Sequence, residues 1–295
     1  MKKENLTAHL AVLGANLIFG LNYVIAKGIM PHWMEPRAII FLRVTGATAA
    51  FWLAGLWIKT EKVAPADRKR LFVAAFFGVA LNQILFFEGL NLTTPINASI
   101  IMVGTPILVL VMSHFIIKER ISGQKLAGVL LGFGGAAFLI LRNGHFSFRS
   151  DTSLGNLLVF INASSYGLFL VLVKPLMARY RPLTVMKWVF TFGLVFVIPV
   201  TTGPFLRTNF AVIPAGIWMS VVYVVLFTTI FAYLLNNYSL KRISPSANSS
   251  YIYMQPFIAS LVALAVGKDR LTLTEITASV LIFAGVYFVN RRRAV

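Results

Sequence analysis

The stretch NQILFFEGLNLTTPINASIIMVGTP, residues 82–106, has the apolar composition of a membrane span, yet it carries a carboxylate, Glu88, and two prolines, Pro95 and Pro106. An ionised side chain is expensive in hydrocarbon, and a proline removes a backbone donor and ends or bends a helix. The rest of the chain has to explain why all three stand here.

The composition removes any doubt about the medium. Of 295 residues 58% are hydrophobic and 12% charged, and mean hydropathy is +0.80. A soluble domain of this size needs far more polar surface. Apolar runs of about twenty residues, enough to cross a bilayer core, recur at roughly 8–28, 36–58, 71–91, 95–117, 122–141, 154–174, 183–202, 213–238, 245–266 and 272–290. The longest polar gaps, 59–70 and 142–153, leave no room for a soluble domain. The expected fold is an all-α polytopic membrane protein with ten transmembrane helices. The basic pair at the N-terminus is followed by a full-length span without a convincing cleavage site, so it is read as the first helix and not as a signal peptide.

The formal net charge of +18 suggests a nucleic-acid partner only until the charges are located. With the N-terminus inside, nineteen Lys and Arg fall in cytoplasmic segments and seven outside, and Arg43 lies within a span. That asymmetry places both termini in the cytoplasm of a cell (inner) membrane protein. The basic face then meets anionic lipid, and no nucleic acid is expected. The chain has no cysteine, and its four histidines, His9, His32, His114 and His145, are scattered. No disulfide, metal site or cofactor is expected.

A shift of 150 residues brings a second copy of the opening stretch into view, YSLKRISPSANSSYIYMQPFIASLVALAVGKDRL. From Gly89 to Arg142 eleven positions are identical at that offset without a gap, among them Pro95 with Pro245, Pro106 with Pro256, and Lys118 and Arg120 with Lys268 and Arg270. A weaker echo at 147 pairs Gly20 with Gly167 and Lys27 with Lys174. The halves are residues 1–145 and 146–295, each with five helices. Five is odd, so the second half enters the membrane from the opposite side: two inverted five-helix repeats, an arrangement associated with a site near the bilayer midplane. Pro95 and Pro245 stand at first-turn positions, where proline costs little. Pro106 and Pro256 are helix breaks at matching depth.

At this point the residues resemble a family. The ten-helix plan, EGLNLTTPINASIIMVGTPILVLVMSHFIIKERIS (88–122), LLNNYSLKRISPSANSSYIYMQPFIA (234–259), GLNYVIAKG (20–28) and FLRV (41–44) are similar to the EamA family of the drug/metabolite transporter superfamily. The resemblance implies a carrier of small metabolites, often an exporter of amino acids or related compounds. It names the machine and leaves the cargo open.

Polar residues inside spans supply the candidate site. Asn248, Tyr251 and Gln255 fall at i, i+3 and i+7 of helix 9, one helical face. Asn16, Gly20 and Tyr23 share a face of helix 1, Thr105 belongs to helix 4, and Asn162, Ser165 and Tyr166 to helix 6. These residues line a substrate pathway or bond neighbouring helices to one another; sequence leaves both readings open. Helices 5 and 10 are nearly free of polar groups, and Gly128 and Gly132 form a small-xxx-small motif, which marks them as scaffold. Glu88 and Arg43 lie at similar depth on the outer side. They are expected to form a buried pair or gate, with a proton site at Glu88, or an acid snorkelling to the interface, as the alternatives.

The function class that fits is a secondary membrane carrier, functional as a monomer, with a small amphipathic molecule as its partner. The competing class is a membrane-embedded enzyme acting on a lipid or small molecule. That chemistry needs paired Asp, Glu or His or an activated nucleophile, and only Glu88 is clearly an acid within a span. No catalytic residue is assigned. The absence of a P-loop excludes ATP as the driving force within this chain.

Overall fold

Prolines set the start of the helical columns. Pro36, Pro65, Pro95, Pro182 and Pro245 each open a helix, the position where the missing N–H would have had no intrahelical partner anyway. The computed structural model describes residues 3–143, 150–258 and 273–290. Among these residues the chain forms ten helical columns and no strand. They are α1 (Lys3–Ile29), α2 (Pro36–Trp57), α3 (Pro65–Leu92), α4 (95–117), α5 (Gly123–Asn143), α6 (Ser150–Arg179), α7 (Pro182–Arg207), α8 (Ala215–Arg242), α9 (245–258) and α10 (Leu273–Asn290). A short 3₁₀ turn, Phe210–Val212, precedes α8. Seven of the columns are long and apolar enough to cross a membrane by length and composition. The chain is an all-α polytopic membrane protein.

The inverted repeat is visible in the packing. α3 and α8 start and stop 150 residues apart at both ends, and so do the starts of α4 and α9 and of α5 and α10. The neighbours match too: α1 packs along α8 as α6 packs along α3, while α2 lies against α7 and α5 against α10. Even the caps repeat. The Thr94 hydroxyl accepts the Asn97 N–H at 3.1 Å, and the Ser244 hydroxyl accepts the Ala247 N–H at 3.3 Å.

Two lysines show the symmetry most plainly. Lys27 donates its ammonium protons to the carbonyls of Leu90, Asn91 and Thr93, at 2.9, 2.7 and 3.1 Å. Lys174 donates to Leu240 at 2.6 Å and Ile243 at 2.8 Å, and these two acceptors stand 150 residues after Leu90 and Thr93. A helix C-terminus leaves carbonyls without partners and carries negative dipole charge, so a cation there satisfies both needs at once. The weak offset of 147 in the sequence is this pair of caps.

α3 and α8 also share an irregularity that no sequence feature announces. Residues Phe76–Leu81 of α3 and Tyr223–Phe231 of α8 wind as π-helix. The wider turn leaves backbone carbonyls off the usual i−4 ladder, and side chains take them. Ser165 donates to Phe77 O at 2.6 Å, Tyr233 to Gly78 O at 3.0 Å, and Thr229 to Val224 O at 2.8 Å, five residues back.

The positions expected to break helices do so with a shift. In α4 the interruption falls at Gly104, whose N–H turns back to Ile101 O at 3.0 Å, and Pro106 lies in the first turn of the helix that restarts at Thr105. In α9 residues Ser250–Tyr253 tighten to 3₁₀ just before Pro256. A proline ring crowds the carbonyl four residues earlier, here Ile252, within that tightened turn.

α5 and α10 meet through glycine. A Cβ on Gly285 would stand 2.5 Å from Gly132 N, one on Gly128 2.7 Å from Val289 N, and one on Gly135 2.8 Å from the Leu281 Cβ. Small residues let two backbones approach in lipid, where dispersion rather than the hydrophobic effect holds helices together. A Cβ on Gly134, in the same helix, would meet nothing within 4 Å. Gly285→Ala is therefore expected to cost about 1–3 kcal/mol through overpacking, while Gly134→Ala stays neutral or gains up to about 1 kcal/mol. Thermal melts of the purified variants in one detergent compare them; equal melting temperatures would show that this contact does not hold the two helices.

Candidate functional site

Between the two halves lies a cavity of about 60 Å³, measured over the positions a water centre can occupy. It is large enough for a few waters or a small polar group. Its wall is drawn from seven columns: Phe19, Asn22 and Tyr23 of α1, Arg43 of α2, Asn82, Gln83, Phe86 and Phe87 of α3, Met102 of α4, Asn162 and Tyr166 of α6, Thr228 and Tyr233 of α8, and Gln255 of α9. Most of the α3 and α8 contributors lie within or just after the π stretches, which turn them inward.

The polar groups are held in chains that cross helix boundaries. Tyr23 donates to Gln255 Oε1 at 3.0 Å, and Gln255 Nε2 donates to Asn16 Oδ1 at 2.8 Å. Asn162 Nδ2 donates to Asn82 O at 2.7 Å, and the Tyr233 hydroxyl also reaches Asn82 Oδ1 at 3.1 Å. Thr228 donates to Asn22 Oδ1 at 3.1 Å, and Asn236 Nδ2 donates to the Tyr166 hydroxyl at 2.9 Å. A buried polar group without such a partner costs about 1–3 kcal/mol, so these chains fix the wall's shape as well as its chemistry.

Of the residues proposed from sequence, Tyr23, Asn162, Tyr166 and Gln255 line the cavity. Asn16 stands behind Gln255. Gly20 is a contact and not a lining residue: a Cβ there would meet Gln255 O at 3.4 Å. Thr105 is fully buried beside the break in α4. Asn248 donates to Asn236 O at 3.2 Å, and the Tyr251 hydroxyl lies 2.8 Å from His9 Nδ1, toward the face where the chain starts. The single face expected for Asn248, Tyr251 and Gln255 is split because 3₁₀ winding over four residues adds roughly 80° of rotation relative to an α-helix. Gln255 has both proposed roles at once, since it lines the cavity and ties α9 to α1.

The pair expected between Arg43 and Glu88 does not form. Glu88 accepts instead from Arg37 Nε at 2.7 Å, near the face opposite the termini. The Arg37 and Glu88 side chains are 48% and 24% exposed, so this is a surface bridge. Arg37 opens α2 at the depth where α3 is ending, whereas Arg43 lies six residues deeper, about 9 Å along the axis and on another face. Arg43 is 3% exposed and donates Nε to the Thr229 hydroxyl at 2.8 Å. Its guanidinium lies 4.6 Å over the Phe87 ring. The acid of the opening stretch is interfacial; the buried charge is the arginine.

Phe19, Asn22, Asn82, Gln83, Phe86, Phe87, Met102 and Thr228 were missed in the sequence. Asn82 and Gln83 open the quoted stretch and are polar residues mid-span, which is signal enough in retrospect. Their inward direction depends on the π turn, and that turn has no signature in composition.

A membrane-embedded bundle of two inverted halves around a polar central cavity is the architecture of a transporter. The chain belongs to the EamA-like transporter family, whose pattern matches it twice, over residues 6–141 and 153–291. Its relatives match it along most of their length. The transporter YyaM of Bacillus subtilis is 24% identical over 288 residues, covering 96% of this chain and 93% of its own. A transporter of Archaeoglobus fulgidus is 24% identical over 294 residues, covering 98% and 99%. A protein of Streptantibioticus cattleyicolor named a probable terminal-alkyne amino-acid exporter is 24% identical over 250 residues, covering 85% and 82%. A solved crystal structure matches with a TM-score of 0.76 at 19% identity, over 97% of this chain and 98% of that one, which shows the shared fold.

Because the Arg37–Glu88 bridge is partly exposed, Glu88→Gln is expected to change stability by less than about 1 kcal/mol. A buried pair broken on one side would lose about 3–5 kcal/mol. Chemical denaturation in mild detergent separates the two, and a loss in the larger range would return Glu88 to the protein interior.

Proposed function

We propose that this protein is a secondary carrier that moves a small amphipathic metabolite, an amino acid or a related compound, out of the cell by alternating access. The observation that carries the reading is the central cavity itself, with a wall shared by both halves and a lining that mixes amide, phenol and phenyl groups. The halves 1–145 and 146–295 are the bodies that rock about it, and the matched lysine caps keep the ends of α3 and α8 intact while they move. A single chain suffices. The amino-acid assignment leans on one relative's name, a probable amino-acid exporter, and on a cavity wall that sets phenyl and thioether groups beside amides and phenols.

Counterflow tests it. Proteoliposomes preloaded with unlabelled amino acids are expected to accumulate labelled branched-chain or aromatic amino acids transiently, with the label chemically unchanged. No exchange across the common amino acids would overturn the assignment of cargo, and a chemically altered label would favour a membrane-embedded enzyme.

We further propose that both termini face the cytoplasm of the cell membrane, from the nineteen basic residues assigned to that side against seven opposite. Reporter fusions at residue 65 and residue 295 should read cytoplasmic, and a fusion at 147 external. A cytoplasmic signal at 147 would reverse the orientation of the fifth helix and remove the inverted repeat.

A further inference from the structure

Arg43 has no carboxylate partner among the described residues, yet it is nearly inaccessible to solvent and stands about 10 Å inside α2. A cation at that depth in a membrane is expensive and marks function when nothing in the protein neutralises it. Its surroundings orient it without cancelling it. The Thr229 hydroxyl spends its own proton on Val224 O, so it presents a lone pair to Arg43 Nε. The Phe87 ring covers one face of the guanidinium. The terminal Nη groups, which carry the edge that matches a carboxylate in two parallel hydrogen bonds, donate to no described residue. Arg43 lines the cavity, and among the described residues no Asp or Glu does.

A second group, independent of the first, points to the same place. Gln83 is 1% exposed and lines the cavity, and neither its Nε2 nor its Oε1 completes a hydrogen bond. Its polar neighbour is the Tyr233 hydroxyl, whose oxygen attracts the Gln83 amide N–H without completing a hydrogen bond and whose proton lies between Gly78 O and Asn82 Oδ1. Gln83 stands one turn before Phe87 on α3, and both line the same cavity as Arg43. An unsatisfied buried amide beside an uncompensated buried cation is a site awaiting an acceptor.

We infer that Arg43, backed by Thr229 and Phe87 and joined by Gln83, is the anion-recognition subsite of this cavity, and that it takes the carboxylate of a small organic monoanion with an apolar body. The inference rests on the carrier reading and sharpens it. Phe19, Phe86 and Met102 supply the apolar contacts. With no acid in the wall, an ammonium on the ligand meets only neutral acceptors, so the carboxylate is required and the amino group is dispensable.

The probes are 4-methylpentanoate and benzoate, each compared with its uncharged amide, titrated into the purified protein in detergent with thermal stability as the readout. Each acid is expected to bind at least tenfold more tightly than its amide. Arg43→Gln should erase that difference, and Arg43→Lys should keep part of it as a point charge without the paired geometry. Without ligand, Arg43→Gln should melt at or above the wild-type temperature, because no carboxylate is stranded by the change. An amide that binds as well as its acid to the wild type overturns the subsite, with no variant needed. So does an acid preference that survives Arg43→Gln. A clear acid preference alongside failed counterflow would remove the carrier and leave the subsite. Counterflow without acid preference would do the reverse.

Discussion

In hydrocarbon a backbone carbonyl without a donor has no water to turn to, and that constraint organises this structure. Regular helix satisfies it automatically. At the ends of α3 and α8, at the two π stretches and at Asn82 in the cavity wall, a named side chain supplies a donor to the backbone. Lys27 and Lys174 serve the helix ends; Ser165, Tyr233, Thr229 and Asn162 serve the interior. The polar residues that look like glue from the sequence are donors placed where the backbone has been opened.

The same openings make the cavity. A π turn rotates every later residue of its helix, and it brings Asn82 and Gln83 to the inside of the bundle when continuous α-helix would turn them elsewhere. Thr229 shows how closely scaffold and site are joined, since the hydroxyl that closes the π turn on Val224 also orients Arg43. Removing such a residue would disturb architecture and recognition together, which is why the distinction between lining residue and interhelical contact does not divide this wall cleanly. Gln255 stands on both sides of it.

How much of this was legible depends on the kind of signal each feature leaves. The ten helical columns and the repeat come from composition and from identities such as Pro95 with Pro245, which mark helix starts. The close approach of α5 and α10 was readable from Gly128 and Gly132, for glycine has no other reason to recur there. Four lining residues, Tyr23, Asn162, Tyr166 and Gln255, were found because polar side chains mid-span are rare. Depth alone misled in the case of Glu88: Arg37 and Arg43 stand on the same helix, and a count of residues from Pro36 does not say which of them faces α3. Asn248 and Tyr251 were misdirected by assuming uniform winding through Ser250–Tyr253.

The paired π stretches also bear on the repeat. A π turn arises when a helix accommodates one residue more than its neighbours require, and such a residue would ordinarily shift every later position against a homologous segment. Here the offset of 150 holds from the first residue of α3 and α8 to the last. Both halves therefore carry the irregularity in register, so it belongs to the repeated unit and not to one half alone. Arg43 has Thr229 as its neighbour across the halves, and Val79, the residue equivalent to Thr229 at that offset, bears no hydroxyl. The one charge in the described cavity wall is thus a point at which the two halves differ.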